Sequence, residues 1–73
     1  MNRIAVASSN IESVGYENST LEVAFVDGGI YQYLGVPLSV YQGLLSASSK
    51  GGYFHHFIKD RYRTIRIVWW KTL

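Results

Sequence analysis

The strongest local pattern in the chain is an alternation of apolar residues over positions 20–26. Leu21, Val23 and Phe25 fall on one face of an extended segment, two residues apart. Glu22 falls on the opposite face. A period of two is typical of an antiparallel strand that buries one side. The pattern therefore commits the chain to an antiparallel β-sheet.

The residues that follow predict a tight turn and a return strand. Asp27 precedes two glycines, which tolerate the positive φ that tight hairpin turns require. Positions 30–34 then form the partner strand. Tyr31 and Tyr33 share one face of it because side chains alternate along a strand. We expect a β-hairpin at the centre of the fold.

Weaker patterns place further elements on both sides of this hairpin. Short strands are expected near positions 4–8 and 11–17, and positions 64–70 form either another strand along the sheet edge or a helical extension. Pro37 suits the first turn of a helix that continues to about position 47. A loop at 46–52 then leads to a second short helix at 53–59, with an apolar stripe of Phe54, Phe57 and Ile58. The expected class is α+β, a small antiparallel sheet of three to five strands with two short helices after the central hairpin.

The composition excludes several classes of site and of location. The chain has 73 residues and no cysteine, which removes disulfides, zinc–cysteine sites, iron–sulfur clusters and thiol catalysis. The first ten residues are too short and too broken by Ser8 and Ser9 for a signal peptide or a spanning helix. We therefore expect one domain over residues 1–73, in the cytoplasm and without a membrane partner.

The charges are divided unevenly along the chain. One arginine against four carboxylates gives residues 1–49 a net charge of −3. Six basic side chains against Asp60 give residues 50–73 a net charge of +5. A polyanion would therefore approach the C-terminal third first.

Several short motifs follow one another along the chain: Val14-Gly15-Tyr16, Leu21-Glu22-Val23-Ala24-Phe25, Tyr31-Gln32-Tyr33, Val36-Pro37 with Val40-Tyr41, and Ser49-Lys50-Gly51-Gly52-Tyr53-Phe54 with Ile58-Lys59. Their order and spacing resemble the KTSC domain, a family named after its occurrence at the C-terminus of some lysyl-tRNA synthetases. The resemblance covers residues 8–62 and implies a stand-alone bacterial member without a defined function, for which RNA is the natural ligand to suggest. Glu17 stands where the family leads us to expect aspartate, and His55 where it leads us to expect asparagine.

The basic and aromatic residues together suggest a nucleic-acid-binding module. The phosphate contacts in this hypothesis are Lys50, Lys59, Arg61, Arg63 and Arg66. The stacking residues are Tyr31, Tyr33 or Tyr53. The alternative for Tyr31 and Tyr33 is core packing, because one face of a strand is usually buried. Likewise, the glycines after Lys50 are either part of an anion site or only a turn.

We expect no enzyme activity, cofactor or metal site. His55 and His56 are adjacent, so on a helix they point about 100° apart and do not easily ligate one metal. A small ribonuclease using His55, Lys59 and Arg61 ranks last among the hypotheses because no partner acid is evident.

The main alternative to nucleic-acid binding is a protein-interaction or homo-oligomeric module. Val68, Trp69 and Trp70 form an apolar tail that either packs back on the sheet or makes a contact between copies. So small a sheet also leaves an open edge strand. Self-association through Trp69 and Trp70 is therefore the second hypothesis.

Overall fold

The computed structural model describes residues 1–67, which form a five-stranded antiparallel sheet and two helices. The strands are β1 (Ile4–Ala5), β2 (Ile11–Glu17), β3 (Thr20–Phe25), β4 (Ile30–Leu34) and β5 (Arg63–Ile67), and the helices are α1 (Leu38–Ser46) and α2 (Lys50–Phe57). The strands lie in sequence order across the sheet, and both helices occur between β4 and β5. The predicted α+β class and the central hairpin are confirmed.

The turn between β3 and β4 is formed by Asp27 and the two glycines, as the sequence predicts. The Asp27 carboxylate accepts a hydrogen bond from the backbone N–H of Gly29 at 2.9 Å. Gly28 adopts φ 102°, a value that L side chains rarely reach. The turn fixes the register, so that Val23 lies opposite Tyr31. Tyr31 and Tyr33 therefore share the face of the sheet that carries Val23.

Both helices pack on that same face and enclose the core. Its fully buried side chains are Ile11, Val14, Leu21, Val23, Val36, Leu44 and Ile58. The Tyr41 ring of α1 stacks on Tyr16 of β2, with centroids 4.9 Å apart. Burial of each large apolar side chain contributes roughly 1.5–3 kcal/mol before the entropy cost of ordering it. This packing determines which side of the sheet remains open.

The second helix begins earlier than the sequence pattern predicts. It starts at Lys50 rather than at 53, because the Ser49 side chain caps it by accepting a hydrogen bond from the Gly52 N–H. The glycines at 51 and 52 therefore belong to the helix and not to a loop. The helix also ends sooner, at Phe57, whose side chain is 53% exposed. Phe57 was wrongly included in the apolar stripe.

A glycine inside α1 allows the two helices to approach each other. A methyl group on Gly43 would overlap the phenol ring of Tyr53 in α2. Glycine weakens an isolated helix relative to alanine by about 1 kcal/mol. Here the missing side chain makes room for Tyr53, which gives Gly43 a packing role that sequence spacing does not reveal.

The face of the sheet without helices contains an ion pair with a buried carboxylate and a partly exposed arginine. Glu22 is only 7% exposed, and it accepts hydrogen bonds from Arg3 at 2.5 Å and from Gln32 at 2.8 Å. The chain before β1 crosses this face at Gly15, where an added methyl would lie 2.5 Å from the carbonyl oxygen of Asn2. The sequence pattern places Glu22 on the correct face, but it does not predict that the chain before β1 covers this face.

The first strand, at one edge of the sheet, is shorter than the predicted 4–8. β1 contains only two residues and pairs with β2 at Val14 and Ser13. β5 pairs with β4 from Arg63 to Ile67. The predicted contribution of Val68, Trp69 and Trp70 lies outside the described residues. Within residues 1–67, neither helix has the length and the apolar character that a membrane crossing needs.

Candidate functional site

A groove runs along α2, between this helix and the sheet. Its central part is a cleft of about 610 Å³ beside the tip of the β3–β4 hairpin. The side chains that line this part include Asn10, Phe25, Asp27, Phe54, His55 and Lys59. It lies on the helix-bearing face, and its sides come from three separate segments of the chain. We call this cleft and its two extensions the α2 groove.

The two extensions continue the cleft towards both ends of α2. A hollow of about 330 Å³ shares Phe25, Phe54 and Lys59 with the cleft and reaches Thr64 in β5. A smaller hollow of about 210 Å³ shares Asn10 and Gly51 with it. This smaller hollow is surrounded by Ser8, Ser9, Ser48, Ser49, Lys50 and Gly52. The groove therefore extends from the start of α2 to the last described strand.

Aromatic rings in edge-to-face contact form the floor of the groove. The rings of Phe25 and Phe54 lie 5.3 Å apart at 76°. Phe54 also meets Tyr33 at 5.4 Å, and Phe25 meets Tyr31 at 5.8 Å. Such pairs contribute about 0.5–1.5 kcal/mol beyond the area they bury. The floor is thus both part of the fold and a fixed apolar surface.

Tyr33 belongs to the core, which corrects its proposed role as a stacking residue. Its side chain is 5% exposed and leaves no ring face open to a nucleobase. Burial raises the pKa of the phenol to about 12, with smaller contributions from Tyr31 and Asp60. Tyr31 is only half-buried and lines the groove. The two tyrosines share a face of β4 but differ in access.

Tyr53 does not line the groove. Its ring lies against Gly43 of α1 and contacts the Phe57 ring, with centroids 4.8 Å apart. This half-buried ring joins the two helices.

Three of the five candidate phosphate contacts adjoin the α2 groove. Lys50 lines its first part, where the ammonium donates a hydrogen bond to the carbonyl oxygen of Ala47 at 3.0 Å. Lys59 is exposed and lines both the cleft and the hollow near β5. Arg66 lies directly opposite Tyr31 in the β4–β5 pairing. These three positions follow the length of the groove.

The other two arginines lie elsewhere, so the five cations do not form one patch. The Arg61 side chain turns back and donates a hydrogen bond to the carbonyl oxygen of His56 at 2.8 Å, near the end of α2. Arg63 lies opposite Leu34, on the face of the sheet away from the helices. Strand alternation separates Arg63 from Arg66, because residues three apart point to opposite faces.

Sequence reasoning did not assign Asn10, Phe25, Asp27 or Phe54 to a site. The sequence pattern indicates turns at Asn10 and Asp27, and it indicates core positions for the two phenylalanines. The backbone of Asn10 is held beside the hairpin by a hydrogen bond from the Val26 N–H at 2.9 Å. This contact joins two residues that are sixteen positions apart in the sequence, and no local motif predicts it. Within residues 1–67, no three histidine or acidic side chains cluster as metal ligands would.

Comparison with known proteins shows which family has this arrangement. The sequence model of the KTSC domain matches residues 7–62. The chain belongs to the KTSC domain family. The resemblance described above is thereby confirmed. A crystal structure of a KTSC domain protein from Yersinia pestis superposes on it with a TM-score of 0.88 and 44% identity, over 90% of this chain and 96% of that one.

Relatives of this KTSC domain occur both alone and inside larger enzymes. An uncharacterized protein from Stutzerimonas stutzeri is 44% identical over 70 residues, which cover 92% of this chain and 99% of the relative. A lysine–tRNA ligase from Trichormus variabilis is 44% identical over 57 residues. That match covers 75% of this chain but 10% of the ligase. The KTSC domain therefore corresponds to a small part of that enzyme.

Proposed function

We propose that this KTSC domain is a non-catalytic RNA-binding module of the bacterial cytoplasm, with the α2 groove as its contact surface. Lys50, Lys59 and Arg66 contact phosphates along the groove, and its aromatic floor contacts bases. The observation that carries the proposal is the position of these three cations beside one groove. Arg61 and Arg63 have no direct part in binding.

The electrostatics favour a polyanionic ligand over a small anion. Each phosphate that a basic side chain neutralises releases counterions, which makes the affinity depend on salt. Three such contacts on a single strand give a slope of roughly −2 in a plot of log Kobs against log salt concentration. The basic C-terminal third of the chain also steers a nucleic acid towards this surface.

The relatives make RNA a reasonable ligand to test. Part of a lysine–tRNA ligase matches this domain at 44% identity, and that enzyme is named for joining lysine to tRNA. We infer that such a short domain holds the RNA and takes no part in the reaction. This is an analogy, so it supports the choice of ligand and not the mode of contact.

The experiment is a titration of the domain with fluorescently labelled single-stranded and structured RNA at two salt concentrations. We expect binding at low salt that weakens at high salt with the slope given above, and RNA that stays intact throughout. Absence of binding at low salt, or binding indifferent to salt, would remove the proposal. Cleavage of the RNA that is lost in His55→Ala would overturn its non-catalytic part.

A second candidate function is self-association through β5. This strand lies at one edge of the sheet formed by residues 1–67, and Ile65 on its helix-free side is 43% exposed. Edge strands with apolar side chains are prone to pair with another strand. Sedimentation of the full chain and of a chain lacking residues 68–73, with Trp69 and Trp70, tests this function. A dimer in both cases supports pairing through β5 itself, a dimer lost on deletion assigns the contact to the deleted residues instead, and a monomer in both cases counts against self-association.

A further inference from the structure

We infer that the α2 groove receives one unstacked nucleobase, so that the domain selects single-stranded over duplex RNA. This inference rests on the proposed RNA binding and specifies the class of RNA. It follows from the shape of the groove, from the charges that line it and from the apolar floor between them.

The shape of the groove suits a single planar ring system. Its central volume of about 610 Å³ falls in the range of about 300–1,000 Å³ that is usual for small-molecule sites. The floor is set back between α2 and the hairpin, and the half-buried rings of Phe25 and Phe54 form it. Bases inside a duplex are stacked and paired, so they cannot reach this floor. An unstacked base can enter and contact the rings.

The charges inside the groove determine which part of a nucleotide enters. Asp27 lines the central cleft and Asp60 lines the hollow near β5. Both carboxylates repel a phosphate, but they can accept hydrogen bonds from the N–H groups on a base edge. The Asn10 amide adds both a donor and an acceptor. The phosphates therefore stay at the rim with Lys59 and Arg66, and the base occupies the groove.

Gly51 provides a way to fill the groove without changing any charge. It lies in α2 and lines both the central cleft and the hollow at the helix start. A methyl group built on it would meet only the Asn10 side-chain nitrogen, at 3.2 Å. Its φ is not positive, so a larger residue fits the local backbone. Leucine at this position places its side chain in the groove, and leucine is a stronger helix former than glycine.

The test compares two RNA hairpins of equal length, each closed by the same base-free linker in place of a loop, one with a single-stranded 3′ overhang and one fully paired to its end. Fluorescence anisotropy gives the affinity of each for the wild type, for Gly51→Leu and for His56→Leu. His56 is exposed on the same helix and does not line the groove, so it provides the matched control. We expect the wild type and His56→Leu to prefer the overhang about tenfold, as the loss of one base–aromatic contact predicts. Gly51→Leu should bind both hairpins equally.

The outcomes separate this inference from the proposed function. Equal affinity of the wild type for both hairpins, or a preference kept in Gly51→Leu, overturns the base-accepting groove and leaves salt-dependent RNA binding in place. Failure of the wild type to bind either hairpin at low salt overturns the proposed function and this inference together. Circular dichroism of both variants confirms that folding is intact.

Discussion

Arg63 and Arg66 lie on the same five-residue strand and point to opposite faces of the sheet. In the pairing with β4, Arg63 lies opposite Leu34 and Arg66 lies opposite Tyr31. Tyr31 faces the α2 groove, whereas Leu34 is on the side where Glu22 and Gln32 meet. The strand thus provides two arginines of equal charge, of which one lies beside the groove.

Replacement of Gly43 by alanine is expected to destabilise the fold although alanine is the better helix former. The added methyl overlaps the Tyr53 ring, and overpacking of this kind costs roughly 1–3 kcal/mol. Urea unfolding measures the change in the free energy of unfolding. Gly51→Ala is the matched control, because its methyl meets only a side-chain amide and should stabilise by up to about 1 kcal/mol. Equal effects of the two substitutions would refute the packing role of Gly43.

The ion pair on the helix-free face should respond differently to single and double substitution. Arg3→Met leaves the buried Glu22 carboxylate without its cation, and we expect a loss of about 1–3 kcal/mol, because the arginine is partly exposed to solvent. Adding Glu22→Gln removes the charge that needs compensation, so part of the loss should return. A double-mutant cycle by urea unfolding measures this coupling. Simple additivity of the two substitutions would show that the pair is not coupled.

Stability should fall at alkaline pH because of Tyr33. Its pKa of about 12 in the folded protein lies above the ordinary value of 10.0, so the folded state binds the phenolic proton more tightly than the unfolded state does. This contribution is complete below pH 10 and is lost as the pH rises from 10 through 12. The midpoint of urea unfolding over this range gives the measurement, with Tyr33→Phe as the comparison. A wild type and a variant that lose stability in parallel would contradict the assignment.

The elements that sequence predicted correctly are those with a strong local signal. In the central hairpin, the alternating apolar residues predict two strands and the glycines predict the turn between them, so the two signals indicate the same structure. The start of α2 was missed because the cap is made by Ser49, whereas the two glycines that follow suggested a loop. A capping hydrogen bond outweighs the helix-weakening effect of glycine here.

The candidate site was harder to predict because it depends on tertiary contacts. Asn10 and Asp27 meet beside α2 only after β2 and β3 pair, and neither lies in a motif. The charge run from Lys59 to Arg66 suggested one patch, but strand alternation and the turn at Arg61 divided it. The periodicity that predicts a strand also predicts this division once the bounds of β5 are known.

Arg63→Gln and Arg66→Gln provide the most direct test that the α2 groove, and not general positive charge, binds RNA. The two variants have the same net charge and change the same strand. We predict that Arg66→Gln weakens binding to single-stranded RNA and makes the salt slope shallower by roughly 0.7, whereas Arg63→Gln leaves both unchanged. Equal losses in the two variants, or a loss in Arg63→Gln alone, would contradict the account.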